Sequence, residues 1–404
     1  MTKNKYIPTI GSLYVNYVFQ GIAAIIISQN MSVLIENWDA SFKEVSLVLS
    51  AIGMGRILSV NFAGVLSDKL GRRQSILLGI FSYIVFFIGI PFSPNYIWAF
   101  VFAIFAGFGN AFLDTGTYPV VIEAFENSSR NSTLSVLNKA FISIGQLIFP
   151  IVTRFTLQND YYFGWPFIVS ALCMILNLLL TFHLPFPAVQ NENVAEKNEE
   201  NLDERQVTNV KETGANFKIE GIALLVFSFV SVSLFNIFIT WIPSFAQDVL
   251  QMNEADSLVL VSYYSIFSFI SVFVTSFIVK QGIHIPKFII FCTSITGLAL
   301  TVMLLYPSFL TVMLANFCIG FFAAGGIWQL GLIILLEFFP FKRGVITSFY
   351  SLATSVSVMG IPYLTGILAE QNMYYVFVLN AGLAFLGAIC LVPVYKRYQI
   401  IFNK

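Results

Sequence analysis

The sequence predicts an all-α integral membrane protein with twelve spanning helices, arranged as two pseudo-symmetric bundles of six. Three observations carry that prediction. Hydrophobic residues make up 57% of the 404 positions and charged residues only 10%, against about 25% charged in an ordinary soluble domain. Mean hydropathy is +0.81, and the 21 basic and 21 acidic side chains cannot cover a soluble surface of this size. The apolar runs are long and do not alternate with polar residues. Lipid supplies no hydrogen bonds, so such runs span as helices of roughly 20 residues and not as barrel strands. One long polar stretch then divides the runs six and six.

Reading the runs against glycines, prolines and charges places helices one to six near 9–32, 43–66, 74–92, 96–124, 131–154 and 162–183. Helices seven to twelve fall near 218–243, 256–280, 286–306, 308–337, 343–368 and 374–395. The stretch 184–216 holds Glu192, Glu196, Glu199, Glu200, Asp203, Glu204 and Glu212 with Lys197, Arg205 and Lys211. It has too little apolar surface to offset the entropy of ordering, and reads as a tether. The expected organisation is a first bundle over 1–183, a linker over 184–216 and a second bundle over 217–404.

Composition also excludes functions. A formal net charge of zero gives no attraction to nucleic acid. Cys173, Cys292, Cys318 and Cys390 all lie in apolar runs, where cysteine behaves as a small hydrophobe. They show no pairing framework or metal spacing. His183 and His284 sit near run ends, so no metal site and no cofactor are expected. The first apolar stretch is too long for a signal-peptide core and lacks a small-residue cleavage site. No nucleophile–base set or phosphate loop supports an enzyme.

Basic residues set the expected topology. With the N-terminus in the cytoplasm, most of the lysines and arginines fall on the cytoplasmic side, among them Lys5, Lys69, Arg72, Arg73, Arg130, Lys218, Lys287, Arg343 and Lys396. Lys43 and Arg154 fall outside. The expectation is a multi-pass cell-membrane protein with both termini and the linker cytoplasmic. The halves also echo each other: helix four leaves through Glu123–Arg130 and helix ten through Glu337–Arg343. Pro150 and Pro362 follow at matching distances. Two six-helix repeats of this kind are the parallel-repeat plan of secondary transporters.

Between helices two and three the chain reads Gly64-Val-Leu-Ser-Asp68-Lys69-Leu-Gly71-Arg72-Arg73. This matches the pattern G-x-x-x-D-[RK]-x-G-R-[RK], and over its whole length the chain resembles the major facilitator superfamily. The resemblance implies two bundles that rock about a central cavity lined by helices one, four, seven and ten. It also implies a latch on the cytoplasmic side. Gly64 is expected to permit close approach of helix two. Asp68 is expected to meet the positive end of helix eleven, near Arg343, while Lys69, Arg72 and Arg73 hold the loop at the membrane surface. The matching loop of the second half, Lys280–Lys287, has no Asp. Two departures weaken a drug-antiporter reading: Ala103 stands where many proton antiporters carry Arg, and Gly145-Gln-Leu-Ile-Phe-Pro150 lacks the Gly-Pro pair. Helix four, from Gly109 to Pro119, is loosely similar to that of fucose-permease-like sugar porters.

Three charges fall inside helices: Arg56, Asp114 and Lys139. An intramembrane charge costs at least ~2.5 kcal/mol on insertion scales and needs a partner or water. Counted from the cytoplasmic ends they lie roughly 15, 15 and 12 Å deep at the helical rise, so all three could share a layer. Two readings stand: Asp114 and Lys139 form a fixed ion pair that only secures packing, or Asp114 takes up and releases a proton. In the second, desolvation favours the neutral acid and a cation favours the carboxylate, so a substrate competing for the cation would couple to protonation. One anion against two cations favours an anionic substrate, with Arg56 as a bidentate candidate and Lys139 also expected to contact it.

Glu123 and Glu337 are expected to form gating or structural ion pairs with Arg130, Arg343 or the arginines of the signature loop. The expected cavity wall comprises Asn16 and Gln20 on helix one, Asn110 with Thr117 and Tyr118 on helix four, and Asn236, Thr240 and Trp241 on helix seven. Tyr263 and Tyr264 on helix eight, Trp328 and Gln329 on helix ten, and Tyr350 and Thr354 on helix eleven complete it. The function expected is secondary transport of a small polar or anionic metabolite of sugar or organic-acid type. Protons, the substrate and the lipid bilayer are its partners, and the protein is expected to act as a monomer. Proton-driven efflux of amphipathic drugs is the alternative.

Overall fold

A computed structural model describes residues 5–124, 128–187, 215–340 and 343–402. Among these, twelve helices are long and apolar enough to cross a membrane. Helices one to six are Ile7–Gln29, Phe42–Leu70, Arg72–Gly89, Tyr96–Ala124, Ser128–Gln158 and Trp165–His183. Helices seven to nine are Ile222–Leu250, Leu260–Lys280 and Ile285–Leu305, and helices eleven and twelve are Arg343–Gln371 and Met373–Phe402. Helix ten is built in pieces: Phe309–Cys318, a π turn Ile319–Ala323, and Ile327–Phe338. The fold is all-α, with two pseudo-symmetric helix bundles. Most of the expected linker, residues 188–214, lies outside the described residues.

Local chemistry explains the main boundaries. Helix two starts at a reciprocal cap. The Glu44 backbone N–H donates to Ser41 Oγ and the Ser41 N–H to Glu44 Oε2, at 3.4 and 2.8 Å, which satisfies two amides that would otherwise be stranded. Before it, a short helix Met31–Trp38, not anticipated from the sequence, ends on Asp39 at φ 48. Helices two and three are separated by Gly71 alone, at φ +100, a conformation that a side chain rarely adopts.

The break in helix ten is the main departure from a plain span. Gly326 has φ +118, and a Cβ on Gly325 would strike the Ser271 side chain of helix eight. Broken backbone at membrane depth survives only where protein or water satisfies it; here Ser271 Oγ donates to the Phe321 carbonyl. The outer surface carries exposed apolar side chains such as Leu172, Leu176, Leu179 and Leu180 of helix six. Lipid is the solvent for such a surface, so it needs no cover.

The bundles meet unevenly. Call the face where helix one begins and helix twelve ends proximal, and the opposite face distal. In the distal half, the Tyr363 N–H donates to Ser50 Oγ at 3.1 Å, the Lys43 N–H to Glu370 Oε1 at 3.2 Å and Ser262 Oγ to the Leu147 carbonyl at 2.8 Å. Arg154 and Asp256 pair at 2.7 Å. A Cβ on Gly53 of helix two would lie 2.3 Å from the Met359 nitrogen of helix eleven, whereas Gly64 and Gly344, on the proximal stretches of the same helices, face open space. Among the described residues, the cleft between the bundles is therefore closed distally and open proximally.

Candidate functional site

Helix two crosses helix four where both have glycine. A Cβ on Gly55 would lie 2.2 Å from the Ile104 carbonyl oxygen, and one on Gly107 would lie 2.2 Å from that of Ile52. Small residues let the backbones touch. Arg56, next to this crossing, extends along helix four to Asp114. Its Nη2 stands 3.3 Å from Asp114 Oδ2, with 27% and 23% of the two side chains exposed. Tyr17 of helix one donates its hydroxyl to Asp114 Oδ1 at 3.2 Å. The pair is thus inside the bundle yet partly open to the cleft.

Near it on helix four, Asn110 Oδ1 accepts from Gln20 Nε2 at 2.6 Å and from the Tyr83 hydroxyl at 2.7 Å. Asn16 does not join them. It is buried against helix six, where its Oδ1 accepts from Asn177 Nδ2 at 2.7 Å. Positions four apart on a helix still diverge by about 40°, and on helix one that is enough to turn Asn16 from the cleft. Lys139 does not reach Asp114 either: its ammonium lies 4.7 Å from the ring centroid of Phe235 on helix seven, across the cleft. Arg56 fills the place beside Asp114 that a fixed Asp114–Lys139 pair would need.

The second bundle contributes neutral groups. Trp328 Nε1 donates to Thr354 Oγ1 at 2.8 Å and to Ser228 Oγ at 3.2 Å, and the Tyr350 hydroxyl donates to the Trp328 carbonyl at 2.9 Å. Asn236 is half-buried, and Gln329 and Tyr263 are exposed. Trp241 is buried and bonded to Thr365, so it belongs to the packing.

At the proximal face, Asp68 pairs with Arg72, and among the described residues no ion pair joins it to helix eleven. Arg72 also donates to Ser67 Oγ at 3.1 Å and meets Glu123 Oε1 at 3.5 Å. Arg73 lies over the Phe182 ring, and Lys69 is exposed. The close approach expected of Gly64 is absent among the described residues, where a Cβ there would meet nothing within 4 Å; Gly53 makes such an approach instead. Glu337 accepts from the Tyr398 hydroxyl at 2.5 Å. The side chains of Arg130 and Arg343 lie outside the described residues.

A broken pseudo-repeat of twelve spans around a charged, wetted centre is a carrier architecture, and known proteins agree. The family model described as Major Facilitator Superfamily matches residues 13–291 and 283–400. The chain belongs to the major facilitator superfamily. It is 33% identical over 411 residues to the inner membrane transport protein YdiN of Escherichia coli (strain K12), covering 100% of this chain and 94% of that one. It is also 33% identical over 395 residues to the MFS-type transporter YfkL of Bacillus subtilis (strain 168), covering 97% of each. Among solved structures it resembles a D-xylose-proton symporter, with a TM-score of 0.78 at 13% identity over 96% of this chain and 97% of that one. The chain is a multi-pass secondary transporter of a small molecule.

Proposed function

We propose that this transporter is proton-coupled and carries a small polar or anionic metabolite by alternating access, as a monomer, with its proximal face and both termini in the cytoplasm. Asp114 binds the proton. The observation that carries this reading is the Arg56–Asp114 pair, 3.3 Å apart and wetted by the cleft. Protonating Asp114 would release Arg56, and an anionic or hydrogen-bonding solute would then compete for the freed guanidinium. Gln20, Asn110 and Asn236 offer hydrogen bonds to that solute. Orientation follows from the bias of basic residues toward the proximal side. When the proximal side closes, Asp68 would exchange Arg72 for the start of helix eleven, and Glu123 would keep the loop arginine in place.

The substrate class comes from thermal stabilisation of the purified protein by sugars, organic acids and cationic amphiphiles; stabilisation by the last group alone would favour drug efflux. The proton role is then tested in proteoliposomes with Asp114→Asn. Accumulation driven by a proton gradient should vanish while exchange of preloaded substrate persists. Gradient-driven accumulation at the wild-type level would refute the assignment.

A further inference from the structure

Of the two cations inside the spans, one is neutralised and one is not. Arg56 is paired with Asp114 at 3.3 Å. Lys139 takes part in no ion pair among the described residues. Its ammonium instead lies against the Phe235 face at 4.7 Å, and the side chain is only half-buried, so the cleft reaches it. A cation at this depth is costly unless something compensates it. The ring face compensates weakly compared with a carboxylate.

We infer that Lys139 is the receptor for a carboxylate on the solute and Phe235 is the wall beside it, so that the carried molecule is a monoanion. This rests on the transporter reading above and deepens it. The two jobs separate by geometry. Arg56, held by Asp114, reaches the solute only once Asp114 is protonated, whereas Lys139, turned toward Phe235 of the second bundle, is open to the solute carboxylate without that step. Helix five brings Lys139 there because its neighbouring faces are already used. Gly145 packs on Val18 of helix one, and Ser143 Oγ lies 3.3 Å from Ser268 Oγ of helix eight. Phe235 belongs to the second bundle. A carboxylate that draws the ammonium off the ring therefore replaces a direct contact between bundles by one made through the solute. A neutral sugar could not make that exchange, because it leaves the ammonium unmatched.

The experiment measures reductive methylation of Lys139 in the purified full-length protein by mass spectrometry, with two matched probe pairs: gluconate against sorbitol, and benzoate against benzamide. At least one carboxylate should slow the reaction by about tenfold relative to its uncharged partner, the scale on which a charge-assisted hydrogen bond exceeds a neutral contact. Thermal stabilisation by the same carboxylate should disappear in Lys139→Gln and survive in Lys139→Arg. Equal labelling with all four probes, or carboxylate stabilisation that persists in Lys139→Gln, overturns the assignment. The two readings fail separately. Proton uptake evoked in wild-type proteoliposomes by an uncharged solute would sink the monoanion and leave Asp114 as the proton site. Carboxylate protection of Lys139 without any proton movement would do the opposite.

Discussion

The two bundles hold their membrane interiors together by different chemistry. The first carries all three interior charges: Arg56 with Asp114 at 3.3 Å, and Lys139 against a ring of the second. Among the described residues, the second has only neutral donors and acceptors at its corresponding centre, with the Trp328 indole shared by Thr354 and Ser228. A neutral network whose donors and acceptors are already paired is satisfied in one arrangement and holds it. A charge pair open to water is held less firmly, because water can replace either partner and a proton can remove one charge. On the function proposed above, the first bundle is the one that switches and the second the one that keeps its shape.

The largest test strips the switch of one partner. Arg56→Met leaves Asp114 with only the Tyr17 hydroxyl, and breaking a buried pair costs about 3–5 kcal/mol; partial wetting here puts the loss at the low end. The double variant Arg56→Met with Asp114→Leu should recover much of that stability and none of the proton coupling. Melting of the purified protein separates the two. Equal melting temperatures for single and double variants would mean that the pair contributes nothing. Gly53→Val comes next. Its side chain must push the Met359 backbone away, and overpacking of this kind costs about 1–3 kcal/mol. It should open the distal side, widening the distance between spin labels at positions 43 and 370. Gly64→Val, facing open space, should leave that distance unchanged. A smaller effect is expected from Trp328→Phe. Thr354 and Ser228 still bond each other at 3.0 Å, so the loss should be about 1 kcal/mol, with proton coupling intact.

Hydropathy made all twelve spans legible, and the Asp68–Arg73 motif made the family legible, because both depend on local residue order. The partners of the interior charges were less so. Depth along a helix follows from counting residues, and it placed Arg56, Asp114 and Lys139 in one layer. Which helices touch does not follow, and proximity in sequence made Lys139 look like the partner that Arg56 is. The paired glycines at 55 and 107 were the available signal, since small residues facing each other bring helices two and four together. Tyr17 could have been found three residues before Gln20. Tyr83 could not, because nothing in helix three marks that position. The break in helix ten was written in Gly325-Gly326, whose meaning depends on Ser271 of another helix. The Asp68–Arg72 pair is four residues apart on either side of Gly71, and the motif, matched as a pattern, does not say which of its own arginines the acid meets.

The contrast between a switching and a shape-keeping bundle also bears on what joins them. The distal ion pair, Arg154 with Asp256, is 2.7 Å long, but its side chains are 40% and 48% exposed. An exposed pair loses most of its Coulomb energy to water and salt, and contributes about 0.2–1 kcal/mol. The distal closure must then rest mainly on backbone-to-side-chain bonds such as Tyr363 to Ser50 and on the Gly53 contact, which salt does not screen. Arg154→Ala should therefore raise the distal-open population by only about fivefold or less. High salt should reproduce its effect in the wild type, and Ser50→Ala should exceed it. Labelling of a cysteine placed at position 257, with and without salt, measures all three. If Arg154→Ala alone opens the distal side as far as Gly53→Val does, then the closure is electrostatic and the joint between the bundles is itself part of the switch.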